Sequence, residues 1–253
     1  MLKLSTMALG AALLGLGLAT AAELRAEVGK APRVVKARQA RGEQVQQLFV
    51  DKGLPYPPPV MFLRAFKHED QIELWAGRKG EALVLVKTFA VCAKSGALGP
   101  KRRRGDLQVP EGFYHIVHFQ PWSNFHLSMK VNYPNPSDRI LGYKRDPGGD
   151  IFIHGSCVTI GCLPIEDGPI EELFLAALDA DRAAKRRVPV HIFPTRMDEA
   201  GMARLEQLAA DGAPHLKFWK GLKPGYDAFE RTRKVPRVWV DEKTGGYRFK
   251  AVE

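Results

Sequence analysis

Only three cysteines occur in 253 residues, at positions 92, 157 and 162. No two form a C-x-x-C pair, which removes the usual spacings of a zinc finger and of a thioredoxin-like redox centre. No run of about twenty apolar residues lies beyond the N-terminus, so no internal segment reads as a membrane-spanning helix. Internal repeats and low-complexity tracts are also missing, which argues against a repeat array. Acidic residues are the scarcer charge: 28 Asp and Glu stand against 38 Lys and Arg, for a formal charge of +10.

What is present begins with the N-terminus. Lys3 precedes an apolar, glycine-interrupted stretch from Met7 to Leu18, and Ala19-Thr20-Ala21 supplies small residues before Glu23. This pattern reads as a secretory signal cleaved near Ala21 or Ala22. The stretch is short for a retained anchor, so residues 1–22 are assigned to a signal peptide, leaving no transmembrane anchor after cleavage. The chain is therefore expected to be exported. Export sets nucleic acid aside as the partner of the basic runs Lys101–Arg104 and Lys185–Arg187. An anionic envelope polymer or membrane surface fits them better, and solvated loop charge is the plain alternative.

Hydrophobic content of 45% and 18 prolines fit one substantial core with loops. Residues 23–59 read as a helix and linker, the helix running from Val34 to Phe49 and the linker ending in Pro57-Pro58-Pro59. A β-rich block follows. Strands are expected at Val60–Phe66, Gln71–Ala76, Ala82–Ala90, Phe113–His118 and Asp150–His154, with loops at Lys94–Gly112 and Tyr133–Arg139. Helical spacing takes over after Asp167, which is placed to cap a helix starting at Gly168-Pro169. A strand at Val188–Phe193, a helix at Asp198–Ala210 and another from His215 to Glu230, broken at Pro224-Gly225, come next. A hairpin around Gly245-Gly246 closes the chain.

The chemistry concentrates between Ile153 and Pro164. His154 ends a short apolar strand, a loop of small residues follows, and Gly161 returns Cys162 toward the core. A thiolate is the reactive form of cysteine, and a nearby imidazole can take its proton. The other ring nitrogen of His154 then needs an acceptor: the Gly155 carbonyl, or the carboxylate of Asp150 or Asp167. Gly161 lets a substrate carbonyl approach, with the amides of Gly161 and Cys162 as oxyanion donors. Thr159 either donates a hydrogen bond there or caps the turn. Zinc is the rival reading of His154, Cys157 and Cys162, but a fourth ligand at a familiar spacing is missing. No metal or other cofactor is therefore expected. With Cys162 as nucleophile, Cys92 and Cys157 are free to pair. The apolar run before Cys92 favours a buried, inert thiol instead, while Cys157 reads as packing, as a support to the site or as a redox partner of Cys162. The remaining histidines, at 68, 115, 118, 126, 191 and 215, have no comparable context.

These residues resemble the YkuD-type L,D-transpeptidase family. His154-Gly155 matches its first element, and Thr159, Gly161 and Cys162 match its second. Gly99-Pro100-Lys101, Gly105-Asp106 and Val109–Tyr114 resemble the approach to its cleft. Ile160, where the family usually has histidine, and the short loop holding Cys157 are similar to the YafK-like branch. So are Tyr133-Pro134-Asn135, Ser137-Asp138-Arg139, Phe218-Trp219 and Leu222–Tyr226. The resemblance implies an α+β, mainly β fold: a YkuD-like β-sandwich catalytic domain over 60–195, with packed helices and a helical extension with hairpin over 196–253. It implies the periplasm as location, peptidoglycan stem peptides as substrate, Cys162 as nucleophile through a thioester and His154 as base. Gly155, Thr159 and Gly161 are then expected to bind substrate. The alternative is a cysteine amidase that hydrolyses a peptidoglycan crosslink or the bond to a wall-linked lipoprotein.

Overall fold

The computed structural model describes residues 21–250 and 252. The expected signal segment, residues 1–22, lies outside the described residues except Ala21 and Ala22, which open helix α1 (Ala21–Lys30). Helix α2 (Pro32–Val50) contains the expected Val34–Phe49 helix, and Pro32 sits in its first turn, where an amide hydrogen is not needed. Val34, Ala37, Val45 and Phe49 form its buried stripe.

Strands β1 (Val60–Phe66), β2 (Gln71–Gly77), β3 (Val84–Ala90), β4 (Gly112–Ser123) and β5 (His126–Val131) follow. Then come helix α3 (Pro136–Leu141), strands β6 (Phe152–His154) and β7 (Leu163–Pro164), helix α4 (Asp167–Ala184) and strand β8 (Pro189–Phe193). Helices α5 (Glu199–Ala210) and α6 (Leu216–Thr232) precede a separate hairpin of β9 (Arg237–Val240) and β10 (Tyr247–Lys250). The architecture is the expected mixed α+β. Its sheet has eight strands in the order β3-β2-β1-β8-β4-β5-β6-β7. Strand β4 serves both halves: Gly112–His115 pairs with β8, and Ile116 onward pairs with β5. The β1–β8 and β6–β7 pairs are parallel.

Both faces of β1 are buried, and alternation explains how. Leu63 and Ala65 enter the main core with Phe174 and Leu178 of α4. Phe62 and Phe66 face the other way, against Phe229 and Tyr226 of α6. Burying each such side chain contributes roughly 1.5–3 kcal/mol. Helix α2 is fixed to α4 by Arg38, whose two guanidinium nitrogens each donate to Asp179 at 2.7 Å. On the α6 face, Arg64 is 1% exposed and bonds Glu73 at 2.8 Å and Glu230 at 2.5 Å.

Three local expectations change. Helix α6 runs unbroken through Pro224, because its buried stripe of Trp219, Leu222, Tyr226 and Phe229 outweighs the one backbone bond that proline removes. The Tyr133–Arg139 loop contains α3, started by a capping box between Asn135 and Asp138. Asp167 does not cap α4; the cap position is Glu166, without a side-chain bond.

Candidate active site

The parallel register pairs Ile153 with Leu163 and His154 with Pro164. Ile153 and Leu163 point into the core. By alternation His154 and Cys162 therefore share the opposite face, with Cys162 beside Phe152. The Phe152 backbone amide acts on the Cys162 sulfur, as expected of that neighbour. The thiol itself bonds the Asp150 carbonyl, Sγ to O at 3.6 Å.

His154 is 2% exposed, and its Nδ1 lies 2.5 Å from the Gly155 carbonyl. A carbonyl only accepts, so Nδ1 carries the proton and Nε2 is the basic nitrogen. Of the three acceptors expected for His154, the backbone carbonyl is the one used. Asp150 pairs with Lys130 at 2.6 Å, and Asp167 accepts from the Ser156 amide at 2.9 Å. Phe125 covers the imidazole, ring centroids 4.9 Å apart.

Burial sets the protonation of both groups. It lowers the His154 pKa, an effect only partly offset by the Gly155 carbonyl. It raises that of Cys162 against the Phe152 amide; Asp150 raises it further and Lys101 lowers it. Both shifts favour the uncharged forms, a protonated Cys162 thiol and a neutral His154 imidazole.

The loop between them is held from several sides. Thr159 Oγ1 accepts from the Gly161 amide at 3.1 Å and the Cys162 amide at 2.8 Å, and donates to the Cys162 carbonyl at 2.9 Å. The two amides expected as oxyanion donors are therefore already engaged, and Thr159 acts as the cap of the turn. Gly161 has φ +136°, and a Cβ there would meet the Gln108 carbonyl at 3.0 Å, so its neighbour is backbone. A Cβ on Gly155 would come within 2.6 Å of Asp167 Oδ1. Cys92 and Cys157 form a disulfide, leaving Cys162 as the free cysteine. The inert thiol expected at Cys92 is corrected by that bond: the residue sits just past the end of β3, where it reaches the loop, rather than inside the core. No cluster of residues able to hold a metal occurs among the described residues.

Cys162 lines a cavity of about 220 Å³ with Phe66, His68, Asp70, Lys94 and Ser95. Lys94 and Asp70 pair at 2.5 Å. The Ser95 hydroxyl is buried without a partner. From sequence, Phe66 is expected at the end of a strand and Lys94 and Ser95 in a long loop. Nothing in their spacing signals the site, because the sheet order brings them there. The Lys101–Arg104 run is mostly committed internally. Lys101 bonds Asp106 at 2.6 Å, Arg102 stacks on Phe218 at 4.6 Å and Arg104 bonds Asp146 at 2.6 Å.

Two curated relatives match the chain, both called "Putative L,D-transpeptidase YafK", from Escherichia coli K12 and O157:H7. Each is 38% identical over 182 residues, 71% of this chain and 70% of the relative. The chain belongs to the YafK-like branch of the YkuD-type L,D-transpeptidase family. No family model matches it. Solved structures with a partial likeness include the helical cell shape determining protein Pgp2 of Campylobacter jejuni, at TM-score 0.43, 16% identity and coverage of 72% of this chain and 73% of that one. Bd1075 of Bdellovibrio bacteriovorus gives TM-score 0.39 at 20% identity over 66% of this chain and 59% of that one. Within this YafK-like chain, the branch motif Tyr133–Arg139 serves packing. Asn135 Nδ2 donates to the Phe113 carbonyl and the Tyr247 hydroxyl, and Ser137 Oγ donates to the Gly245 carbonyl. The motif thereby ties the terminal hairpin to β4. No helix among the described residues is long and apolar enough to cross a membrane.

Proposed function

We infer that this protein is an L,D-transpeptidase of the cell wall that acts on peptidoglycan stem peptides through Cys162 and His154. Membership of the family supports the reaction class. The observation that carries the residue assignment is the register that sets His154 and Cys162 on one face of the β6–β7 pair, with Cys162 lining the cavity and His154 Nδ1 held by the Gly155 carbonyl. The reading requires the Cys162 thiol to leave the Asp150 carbonyl and come within hydrogen-bond reach of Nε2.

The reaction then proceeds in two balanced halves. His154 Nε2 takes the Cys162 proton as sulfur attacks the carbonyl carbon of the third stem residue. The amide C–N bond breaks, the departing amine takes the proton from His154, and a thioester remains. An acceptor amine next attacks that carbonyl and gives its proton to His154. The C–S bond breaks and the proton returns to sulfur. Gly155, Thr159 and Gly161 shape the loop that presents the cysteine. Water in place of the amine gives hydrolysis from the same intermediate, and a wall-linked lipoprotein is the partner that reading would release. The Cys92–Cys157 disulfide supports an oxidising compartment, in keeping with the periplasm.

Product analysis of purified protein with defined muropeptides tests this. Crosslinked dimers joined through third residues are expected, with a thioester mass at Cys162 during turnover. Monomers alone would favour hydrolysis. Full activity in Cys162→Ala would remove both.

A further inference from the structure

A second and much larger cleft lies at the far end of β1 from Cys162. Val60 and Met61, where the strand starts, line it; Phe66, where the strand ends, lines the cavity of Cys162. At the usual rise per residue the strand separates the two sites by about 20 Å. The cleft measures about 1100 Å³.

Its walls are basic, and the charges come from three separate stretches. Lys79 lies in the turn after β2, Lys185 and Arg186 follow α4, and Lys234 and Arg237 flank the start of β9. Among the described residues, no ion pair engages these five side chains. The carboxylate on the wall, Glu81, lies 3.8 Å from Arg78. Position at a helix C-terminus accounts for Lys185 and Arg186. It does not account for cations that converge from elsewhere against their mutual repulsion.

Two further features point to a ligand. His191 lines the cleft at 3% exposure, and its Nδ1 is buried with no hydrogen-bond partner. Such a nitrogen is a cost unless something bonds it. Trp239, 53% exposed, offers an aromatic face on the same wall.

We propose that this cleft is a non-catalytic binding site for the wall polymer, with its cations holding stem-peptide carboxylates and Trp239 stacking on a sugar ring. The proposal rests on the substrate class inferred above. It would keep the enzyme on the polymer between turnovers and raise the local concentration of donor peptides. An anionic bilayer would also attract these charges. A concave site with a buried imidazole fits an inserted chain better than a flat surface.

The test is cosedimentation of the Cys162→Ala protein with purified peptidoglycan sacculi. Lys185→Glu, Arg186→Glu and Arg237→Glu together are expected to weaken binding at least about tenfold. A control triple, Lys36→Glu, Arg204→Glu and Lys217→Glu, changes net charge equally and is expected to leave binding within about twofold. Equal losses from the two triples would overturn the proposal. So would cleft-dependent binding to phosphatidylglycerol vesicles without cleft-dependent binding to sacculi. Trp239→Ala keeps every charge and is expected to weaken binding too; unchanged affinity would remove the sugar contact. With Cys162 restored, turnover of a soluble muropeptide is expected to be the same in the cleft triple and the parent. Binding is read without turnover, so an inactive parent would count against the transpeptidase reading and leave this test standing.

Discussion

Thr159 holds both amides of the cysteine turn with one oxygen. Its replacement by Val keeps the shape but leaves two amides unsatisfied, at roughly 1–3 kcal/mol each. Thr159→Val is therefore expected to lower kcat/KM about tenfold or more, and Thr159→Ser, which restores the oxygen, to recover most of it. A full rate in Thr159→Val would mean that the turn needs no cap. Protonation gives a second expectation at this scale. Burial raises the Cys162 pKa and lowers that of His154. Alkylation of Cys162 by iodoacetamide should accordingly keep accelerating above pH 9, the region where an ordinary thiol titrates. The acid limb of activity should fall below pH 6.5, since His154 stays neutral to lower pH than a free imidazole. An alkylation midpoint below neutrality would instead reveal a resting thiolate. The shared face of His154 and Cys162 was legible in the sequence because strand, glycine and cysteine lie within one short segment. The partners of Thr159 were not, because a hydroxyl near a turn can serve a substrate or the backbone equally well.

At the scale of elements, the disulfide joins the segment after β3 to the loop after β6, across a sequence separation of 65 residues. A crosslink closing a loop of that length contributes about 4 kcal/mol by chain entropy. Cys92→Ser with Cys157→Ser is expected to lower the melting temperature by several degrees, and dithiothreitol to do the same to the parent only. Both flanks of the crosslink lie close to Cys162, so KM should rise with reduction as well. Identical melting of parent and double variant would show that the crosslink contributes nothing. The short strands β6 and β7 show why such support matters: one turn of loop and a few backbone bonds carry the proposed catalytic pair. Composition marked Tyr133–Arg139 as a loop, and the cap between Asn135 and Asp138 made it a helix. Conversely, Pro224 and Gly225 marked a break that the apolar stripe of α6 overrode. Local rules fail at these places because a few buried contacts outweigh one backbone preference.

Across the whole molecule, α6 and the β9–β10 hairpin cover one face of the large sheet, packing on Phe62, Phe66, Phe113 and Phe193. Glu111, fully buried, accepts from the Gly99 amide at 2.7 Å, from Lys67 at 2.9 Å and from Trp219 Nε1 at 2.8 Å. Arg64 is paired in part by Glu230 of α6. A chain ended at residue 195 would expose Phe66, Phe113 and Phe193 and leave part of these buried charges unpaired. Such a truncation is expected to be insoluble or unfolded by circular dichroism; a cooperative melt like that of the full chain would show that the extension is dispensable. The sequence by itself determined the strands of the β block, the helices after Asp167 and the segment that holds the proposed catalytic pair, since hydrophobic period and loop composition act over a few neighbours. Only the tertiary structure decided that Cys92 meets Cys157, that Asp70, Lys94 and Ser95 reach Cys162, and that scattered cations gather in one cleft. Those meetings depend on strand order, and strand order is set by how distant apolar faces bury one another rather than by any local pattern.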